Sequence, residues 1–490
     1  MTNINRLLGL ALVVSCVLPC ACAQTSGTDA PALLDHAIAS THSTVLADGV
    51  RVDYDAVFDE LALRSANGTL QASITSTTYL RRGVASASRP VVFLFNGGPG
   101  ASSSPLHFTA LGPRRFVEDD KGVSHLQDNP RSLLDVADLV FVDPVGTGFS
   151  QAYGDSSSNP YWSPRGDARA VAELVHDWLR KNHREKSPLY VIGESYGGFR
   201  AAMLMRELDD VQVSGLVLIS PLLDASAASP SVGNDMPHIL DLPTMAVAAW
   251  TQGRADKTRN GTTAAAVFDT AARFALGDYA LALLQGSALA DAQRRRIAER
   301  LSELIGIPAQ ALVDAQLRID SEKFLNTVLG DGTRRVGRLD TRVVGSAAPP
   351  VTSRPSNDPS LPQGGTSPRI EAYMHDELGV ALNRRYFSLN FDVNRRWNWQ
   401  SEVTEPGHFY VNSTGYIGDA MHRNPAMRVL ATGGYYDMAV PLLGTTYALQ
   451  HGGLPIDRVT VLAFDSAHSP YDTPADFKRF SDAVRQLVAH

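Results

Sequence analysis

Cysteine is almost absent from this chain: there are three in 490 residues, and Cys16, Cys20 and Cys22 all sit near its start. Once a leader containing them is removed, disulfides, thiol nucleophiles and thiolate metal sites are excluded. A chain of this length needs no covalent staples, because a domain of several hundred residues buries most of its apolar surface in its own core. Long apolar runs are equally scarce. Beyond residues 7–18 no stretch approaches the length needed to cross a bilayer, so membrane insertion is not expected. Basic charge is in deficit, with 44 Lys and Arg against 51 Asp and Glu, a formal charge of -7 and no basic stripe, which argues against a nucleic-acid partner. Neither a phosphate-binding loop nor His and Cys at metal-ligand spacing is found, so no cofactor and no metal is expected.

The N-terminus carries one basic residue, Arg6, then the apolar run 7–18, then Ala21-Cys22-Ala23 ahead of polar residues. This is the pattern of a secretory signal covering 1–23, and it implies an exported protein, periplasmic or extracellular. A second reading is a lipid anchor, since Val13-Val14-Ser15-Cys16 resembles a bacterial lipoprotein processing site with Cys16 acylated.

Residues 24–88 read as a β-rich extension, with polar and apolar residues alternating from about 50 to 82 around an Asn67-Gly68 turn. Buried-strand runs follow at Val91-Val92-Phe93-Leu94-Phe95, Leu139-Val140-Phe141-Val142, Leu189-Tyr190-Val191-Ile192 and Leu216-Val217-Leu218-Ile219, with helical stretches between the later ones. Strands alternating with helices predict a mainly parallel sheet with right-handed crossovers over 89–225. Residues 226–405 are richer in helix, with Ile297, Leu301, Leu304 and Ile305 on one face, and include a Pro-, Ser- and Gly-rich stretch over 345–368 read as a long loop. This segment reads as a largely helical cap inserted into the sheet domain. Strand signals return at 428–432 and 459–464, so 406–490 completes the sheet.

The most informative string is Gly193-Glu194-Ser195-Tyr196-Gly197, directly after an apolar strand and before an Ala- and Met-rich helical stretch. It is identified as the nucleophile elbow of an α/β-hydrolase, in which flanking glycines permit a turn sharp enough to lift the serine hydroxyl above the sheet edge. Serine is a weak nucleophile near neutral pH, so a histidine must take its proton and an acid must orient that histidine. In this fold the order is Ser, Asp, His, and the positions after the two late strands are filled by Asp437 and His468. Asp465, three residues before His468, is the rival acid. Asn96-Gly97-Gly98-Pro99-Gly100 follows the 91–95 strand, where backbone N–H groups of Gly98 and Tyr196 are expected to form the oxyanion hole.

Taken together, Asn96-Gly97-Gly98-Pro99-Gly100 with Ser102-Ser103, Asp143-Pro144-Val145-Gly146-Thr147-Gly148-Phe149-Ser150 and the elbow resemble the serine carboxypeptidases, with Asn129-Pro130-Arg131-Ser132-Leu133 as a further likeness. The resemblance implies release of a C-terminal residue from a peptide substrate, with Asn96, the Gly97 N–H and Glu194 holding the terminal carboxylate. Against Glu194 such binding requires a shared proton. The chain departs from the family at Ala110, where members place a second acid, at Ala101 in place of cysteine, and in the setting of His468. The expected activity is that of a serine-type carboxypeptidase working through an acyl-enzyme. Two alternatives stand beside it: an esterase or acyltransferase using the same triad, and a non-catalytic binding protein on a hydrolase scaffold. The Arg395-Arg396-Trp397-Asn398-Trp399 string reads equally as cleft lining or as a packed aromatic hinge. Nothing in the sequence speaks to oligomeric state.

Overall fold

The computed structural model describes residues 33–489 apart from 155–158, 229, 257, 350–355 and 404–410. The leader expected over 1–23, with all three cysteines, lies outside the described residues. The frame is one long sheet made of β1 (Ile38–Val45), β2 (Arg51–Arg64), β3 (Leu70–Arg81), β4 (Val91–Phe95), β5 (Asp138–Asp143), β6 (Leu189–Glu194), β7 (Val213–Ile219), β8 (Arg428–Gly434) and β9 (Val459–Phe464). Their spatial order is β1-β2-β3-β5-β4-β6-β7-β8-β9, and the two-residue strand Gln151–Ala152 pairs with β3. From β5 to β9 all neighbours are parallel, whereas β1, β2, β3 and β5 pair antiparallel.

Sequence explains both halves. The strands β4, β5 and β6 are buried at every position, which is why they read as unbroken apolar runs. In β2 the buried residues Val52, Tyr54, Ala56 and Phe58 alternate with less buried ones, mostly charged, the signature of a sheet with one covered face. Helices α1 (Pro164–Lys181), α2 (Tyr196–Glu207), α3 (Met236–Thr251), α4 (Asp291–Ile305), α5 (Thr414–Arg423), α6 (Leu442–His451) and α7 (Pro474–Ala489) account for most of the covering layers. On one side α1, α2 and α5 bury Val171, Val175, Phe199, Met203 and Ile417 against β4 and β6. On the other, α7 packs Phe477, Phe480 and Val484 against Val217, Ile219 and Leu430. A mainly parallel sheet between two helical layers, with this strand order, is the α/β-hydrolase fold.

Strand order reverses at β4, because the chain leaves β4 for β5 on one side and returns to β6 on the other. The crevice beyond the carboxyl ends of the strands at such a point is where ligands bind in open α/β sheets. The loops after β4, β5, β6, β8 and β9 leave from that edge, whereas the 129–133 segment precedes β5.

The insertion has two parts. Residues 236–336 form a separate apolar cluster, in which α3 and α4 bury Leu242, Met245, Leu301 and Leu304 and rest on Tyr436, Met438, Leu442 and Leu443. The face of α4 predicted from Ile297, Leu301, Leu304 and Ile305 is buried. The second part behaves differently from a helical cap. The helix Pro368–Asp376 places Ile370, Tyr373 and Met374 in the sheet-domain core, and Phe387–Leu389 bridges to Gly148 and Ala101. Its apolar residues find their partners on the sheet domain, so this stretch straps the loops after β4 and β5. Within the stretch expected as one long loop, Val344–Ser346 and Gly365–Thr366 form short strands. No helix among the described residues is long and apolar enough to cross a membrane.

Candidate active site

Ser195 sits between β6 and α2 with φ 61 and ψ -125, a conformation seldom adopted by a residue with a side chain. Its strain is held by backbone bonds on both sides: Ser195 N donates to Ile219 O at 2.8 Å, and its carbonyl accepts from Gly198 N at 2.9 Å and Leu222 N at 3.1 Å. The flanking glycines are sterically obligatory. A Cβ on Gly193 would lie 2.2 Å from Gly197 O, and one on Gly197 would lie 2.8 Å from Phe95 O. The Ser195 hydroxyl makes no capping bond to α2.

His468, after β9, meets Asp437, after β8, with Nδ1 2.7 Å from Oδ2. Asp437 is fully buried, and its other oxygen accepts from Ala439 N at 2.8 Å and Val440 N at 3.1 Å. A carboxylate so placed only accepts, so Nδ1 carries the hydrogen and Nε2 is left as the basic position. Asp465, the rival acid, is exposed. Burial pushes the His468 imidazolium down most strongly, but the charge and hydrogen bond of Asp437, with Glu194 behind them, raise its pKa above the ordinary 6.5. The backbone of His468 is held as well: Ser220 Oγ donates to its carbonyl at 2.7 Å, and its N–H donates to Leu339 O at 3.1 Å.

The loop after β4 abuts the elbow. A Cβ on Gly97 would lie 2.4 Å from Tyr196 N and 2.7 Å from Gly197 N, so the loop backbone runs directly against the first N–H groups of α2. Gly98 adopts φ +101 beside it. Asp143, at the end of β5, clamps the same loop by accepting from Ser103 N at 2.8 Å and Ser103 Oγ at 2.7 Å, with Tyr386 OH at 3.2 Å; burial pushes its pKa up to about 6.

Glu194, 4% exposed, is enclosed by donors: Asn96 Nδ2 at 2.6 Å and Tyr471 OH at 2.5 Å on one oxygen, Ser469 Oγ at 2.7 Å on the other. Burial, the largest effect, raises its pKa against the lowering by His468 and these hydrogen bonds. Asn96 is equally committed, since its Oδ1 accepts from Leu106 N at 3.1 Å. Ala110 is fully buried in the apolar layer with Leu106 and Leu111, and it supplies no second acid.

All of these sequence-derived residues except Asp437 line one cleft of about 1020 Å³: Asn96, Gly97, Gly98, Glu194, Ser195, Tyr196 and His468. Asp437 stands behind the histidine. Of the Arg-Trp string, Arg395 lines the cleft, while Trp397 and Trp399 pack edge-on against Tyr196 at 5.1 and 5.5 Å between centroids. Both of the earlier readings therefore describe part of it. Ser220, Arg200, Ser469 and Tyr471 escaped the sequence reading. Arg200, alone as a charge in an apolar helical run, carried a signal; the hydroxyls carried none. Among the described residues no group of three His, Cys, Asp or Glu is arranged to hold a metal ion.

Comparison with known proteins agrees with the motif reading. Residues 79–232 match the family model described as serine carboxypeptidase. Over 153 residues the chain is 34% identical to serine carboxypeptidase-like 17 of Arabidopsis thaliana, covering 28% of this chain and 33% of that protein. Over 122 residues it is 38% identical to pheromone-processing carboxypeptidase kex1 of Sclerotinia sclerotiorum, covering 24% and 18%. The chain thus spans a third or less of the length of these curated relatives. Among solved structures, an esterase from Exiguobacterium antarcticum superimposes with TM-score 0.34 and 11% identity over 91% of this chain and 99% of that one.

Proposed function

We propose that this protein is a serine hydrolase that releases C-terminal residues from peptides through an acyl-enzyme. The observation that carries the proposal is the Asp437–His468 pair at 2.7 Å, whose histidine lines the same cleft as a serine on a strained elbow. In the reaction Ser195 Oγ attacks the scissile carbonyl carbon while His468 Nε2 takes its proton, and Asp437 stabilises the resulting imidazolium. The carbonyl oxygen, now an oxyanion, accepts from the N–H groups of Gly98 and Tyr196, each worth about 3 kcal/mol in such sites. The C–N bond breaks as His468 returns the proton to the leaving amine. Water, deprotonated by His468, then attacks the ester on Ser195 and frees the shortened peptide.

The carboxylate end of the substrate is assigned to the corner of Asn96, Gly97 and Glu194. The raised pKa of Glu194 favours the shared proton that two carboxyl groups need in order to approach each other. Export through the 1–23 leader, and a peptide as the natural partner, belong to the same proposal. A second reading is favoured by one observation: Glu194 already accepts three hydrogen bonds and Ala110 offers no second acid, so an acyl donor without a free carboxylate also fits, as in an esterase or acyltransferase.

The deciding assay sets N-blocked dipeptides against matched esters, with fluorophosphonate labelling of the wild type and Ser195→Ala. Release of the free C-terminal residue, with labelling only of the wild type, is the expected result. Ester turnover without any release of that residue between about pH 4 and 8 leaves the second reading. Equal labelling of both proteins removes Ser195 from the chemistry.

A further inference from the structure

Three arginines line the cleft among the described residues, and two are committed to other partners. Arg335 is 1% exposed and pairs with Glu322 at 2.7 Å and Asn357 at 2.7 Å; Arg395 pairs with Asp392. Arg338 differs. It is exposed to the cleft, and among the described residues its guanidinium has neither an ion-pair partner within 4.0 Å nor a hydrogen bond.

Its backbone, by contrast, is tied to the catalytic loops. Arg338 N donates to the Asp358 carboxylate at 3.1 and 3.2 Å, and Arg338 O accepts from Met438 N at 2.9 Å, one residue beyond Asp437. The next residue, Leu339, accepts from His468 N at 3.1 Å, and Thr341 N donates to Tyr436 O at 3.1 Å. The insertion is thus fastened to the acid and base loops through the segment that presents this cation. The guanidinium is close enough for its charge to act on His468.

An exposed guanidinium without an ion-pair partner within 4.0 Å among the described residues, lining the same cleft as Ser195 and His468, is a receptor for a planar anion. The chemistry of the Asn96, Gly97 and Glu194 corner calls for one. Glu194 is already bonded by Asn96, Ser469 and Tyr471, so an approaching carboxylate gains nothing there unless a proton is shared. We propose that Arg338 is the cation that completes the Asn96, Gly97 and Glu194 corner as the receptor for the free terminal carboxylate of the substrate. This deepens the carboxypeptidase reading and rests on it for the substrate's identity. Where the motif pattern lacks an acid at Ala110, the inserted cap supplies a cation that needs no proton to bind an anion.

Direct binding tests this apart from turnover. Calorimetry on full-length protein carrying Ser195→Ala compares three probes: N-acetyl-leucine, its amide, and N-acetyl-glutamate α-amide, which has an acid only on its side chain. The expected result is about tenfold tighter binding of N-acetyl-leucine than of its amide, the size of a charged hydrogen-bonded contact. Adding Arg338→Gln should remove that preference, and Arg338→Met, which keeps the apolar stem, should do the same. An acid-over-amide preference that survives both variants, or equal binding of acid and amide by the Ser195→Ala protein, overturns the proposal. So does α-amide binding as tight as N-acetyl-leucine, since the anion recognised would then be a side chain. Because no probe is cleaved, failure of the peptidase reading shows up separately, as absent turnover in wild type.

Discussion

Arg200, on the helix that follows Ser195, donates through Nη1 to the backbone carbonyl of Asn96 at 2.5 Å, at the start of the loop that carries Gly97 and Gly98. Its Nε is engaged by Asp167 at 2.7 Å, both side chains are buried, and the guanidinium stacks over Phe95 and Tyr196 at 5.2 Å from each ring centroid. One buried cation therefore joins the two segments proposed to bracket the oxyanion, and Asp167 on α1 anchors it.

This arrangement separates stability from positioning. Arg200→Met leaves the Asp167 carboxylate buried without its counter-ion, and breaking a pair of this kind costs about 3–5 kcal/mol. The expected outcome is a large fall in melting temperature together with a fall in kcat. Adding Asp167→Leu removes the orphaned charge and should restore most of the stability. Turnover should stay low, because nothing then holds the Asn96 carbonyl. Recovery of kcat along with melting temperature in the double variant would reduce Arg200 to a structural residue.

Gly97 offers a purely steric test. A methyl group there would fall within 2.4 Å of Tyr196 N and 2.7 Å of Gly197 N, both backbone atoms that cannot swing aside. Gly97→Ala should push the loop off the elbow and lower kcat by about 10²–10³, the loss seen when one oxyanion donor is removed. Single-turnover kinetics on an activated ester check it, and unchanged acylation would show that this loop does not serve the oxyanion.

How much of this was legible beforehand follows from sequence distance. Ser195, Asp437 and His468 could be read because each comes directly after an apolar strand, so local pattern alone locates it at the sheet edge. Arg200 could be seen only as an odd charge, since its meaning lies in Asp167 on another helix and in a carbonyl on another loop. Ser469 and Tyr471 looked like ordinary residues beyond the histidine, and their bonds to Glu194 span most of the domain. Strand β1 went unread because Ser, Thr and His outnumber its apolar residues and it is fixed by pairing with β2. The strap over 365–399 was hidden for the opposite reason: Ile370, Tyr373 and Met374 show a helical face but not which surface it covers.

The electrostatics around His468 predict two opposite shifts in the pH profile. The base must be neutral to accept the Ser195 proton, so kcat/KM should fall as pH drops through the His468 pKa, on a limb lying above pH 6.5. The negative charge of Glu194 supports the imidazolium, so Glu194→Gln should move that limb to lower pH. The positive charge of Arg338 opposes it, so Arg338→Gln should move it to higher pH. Profiles measured with a neutral ester read both shifts. Movement of both variants in the same direction contradicts the assigned arrangement of charges.

Stability should carry a separate pH signature from α3. Asp241 is buried there, and burial, only partly offset by the Arg338 charge, pushes its pKa from 3.8 to about 8. Between those values the folded protein keeps a proton that the unfolded chain has released. The folded state thus binds more protons than the unfolded one, and its stability must fall as pH rises. The contribution is fully present below about pH 4 and is lost progressively up to about pH 8. Asp241→Asn keeps the shape and removes the charge, so its melting temperature should decline less than that of the wild type between about pH 5 and 8. Other titrating groups, including His107, which burial lowers to about 3, are common to both proteins and cancel in the comparison. Parallel melting curves for the two proteins across that range would mean that Asp241 is already ionised in the folded state, with a partner that stabilises its charge.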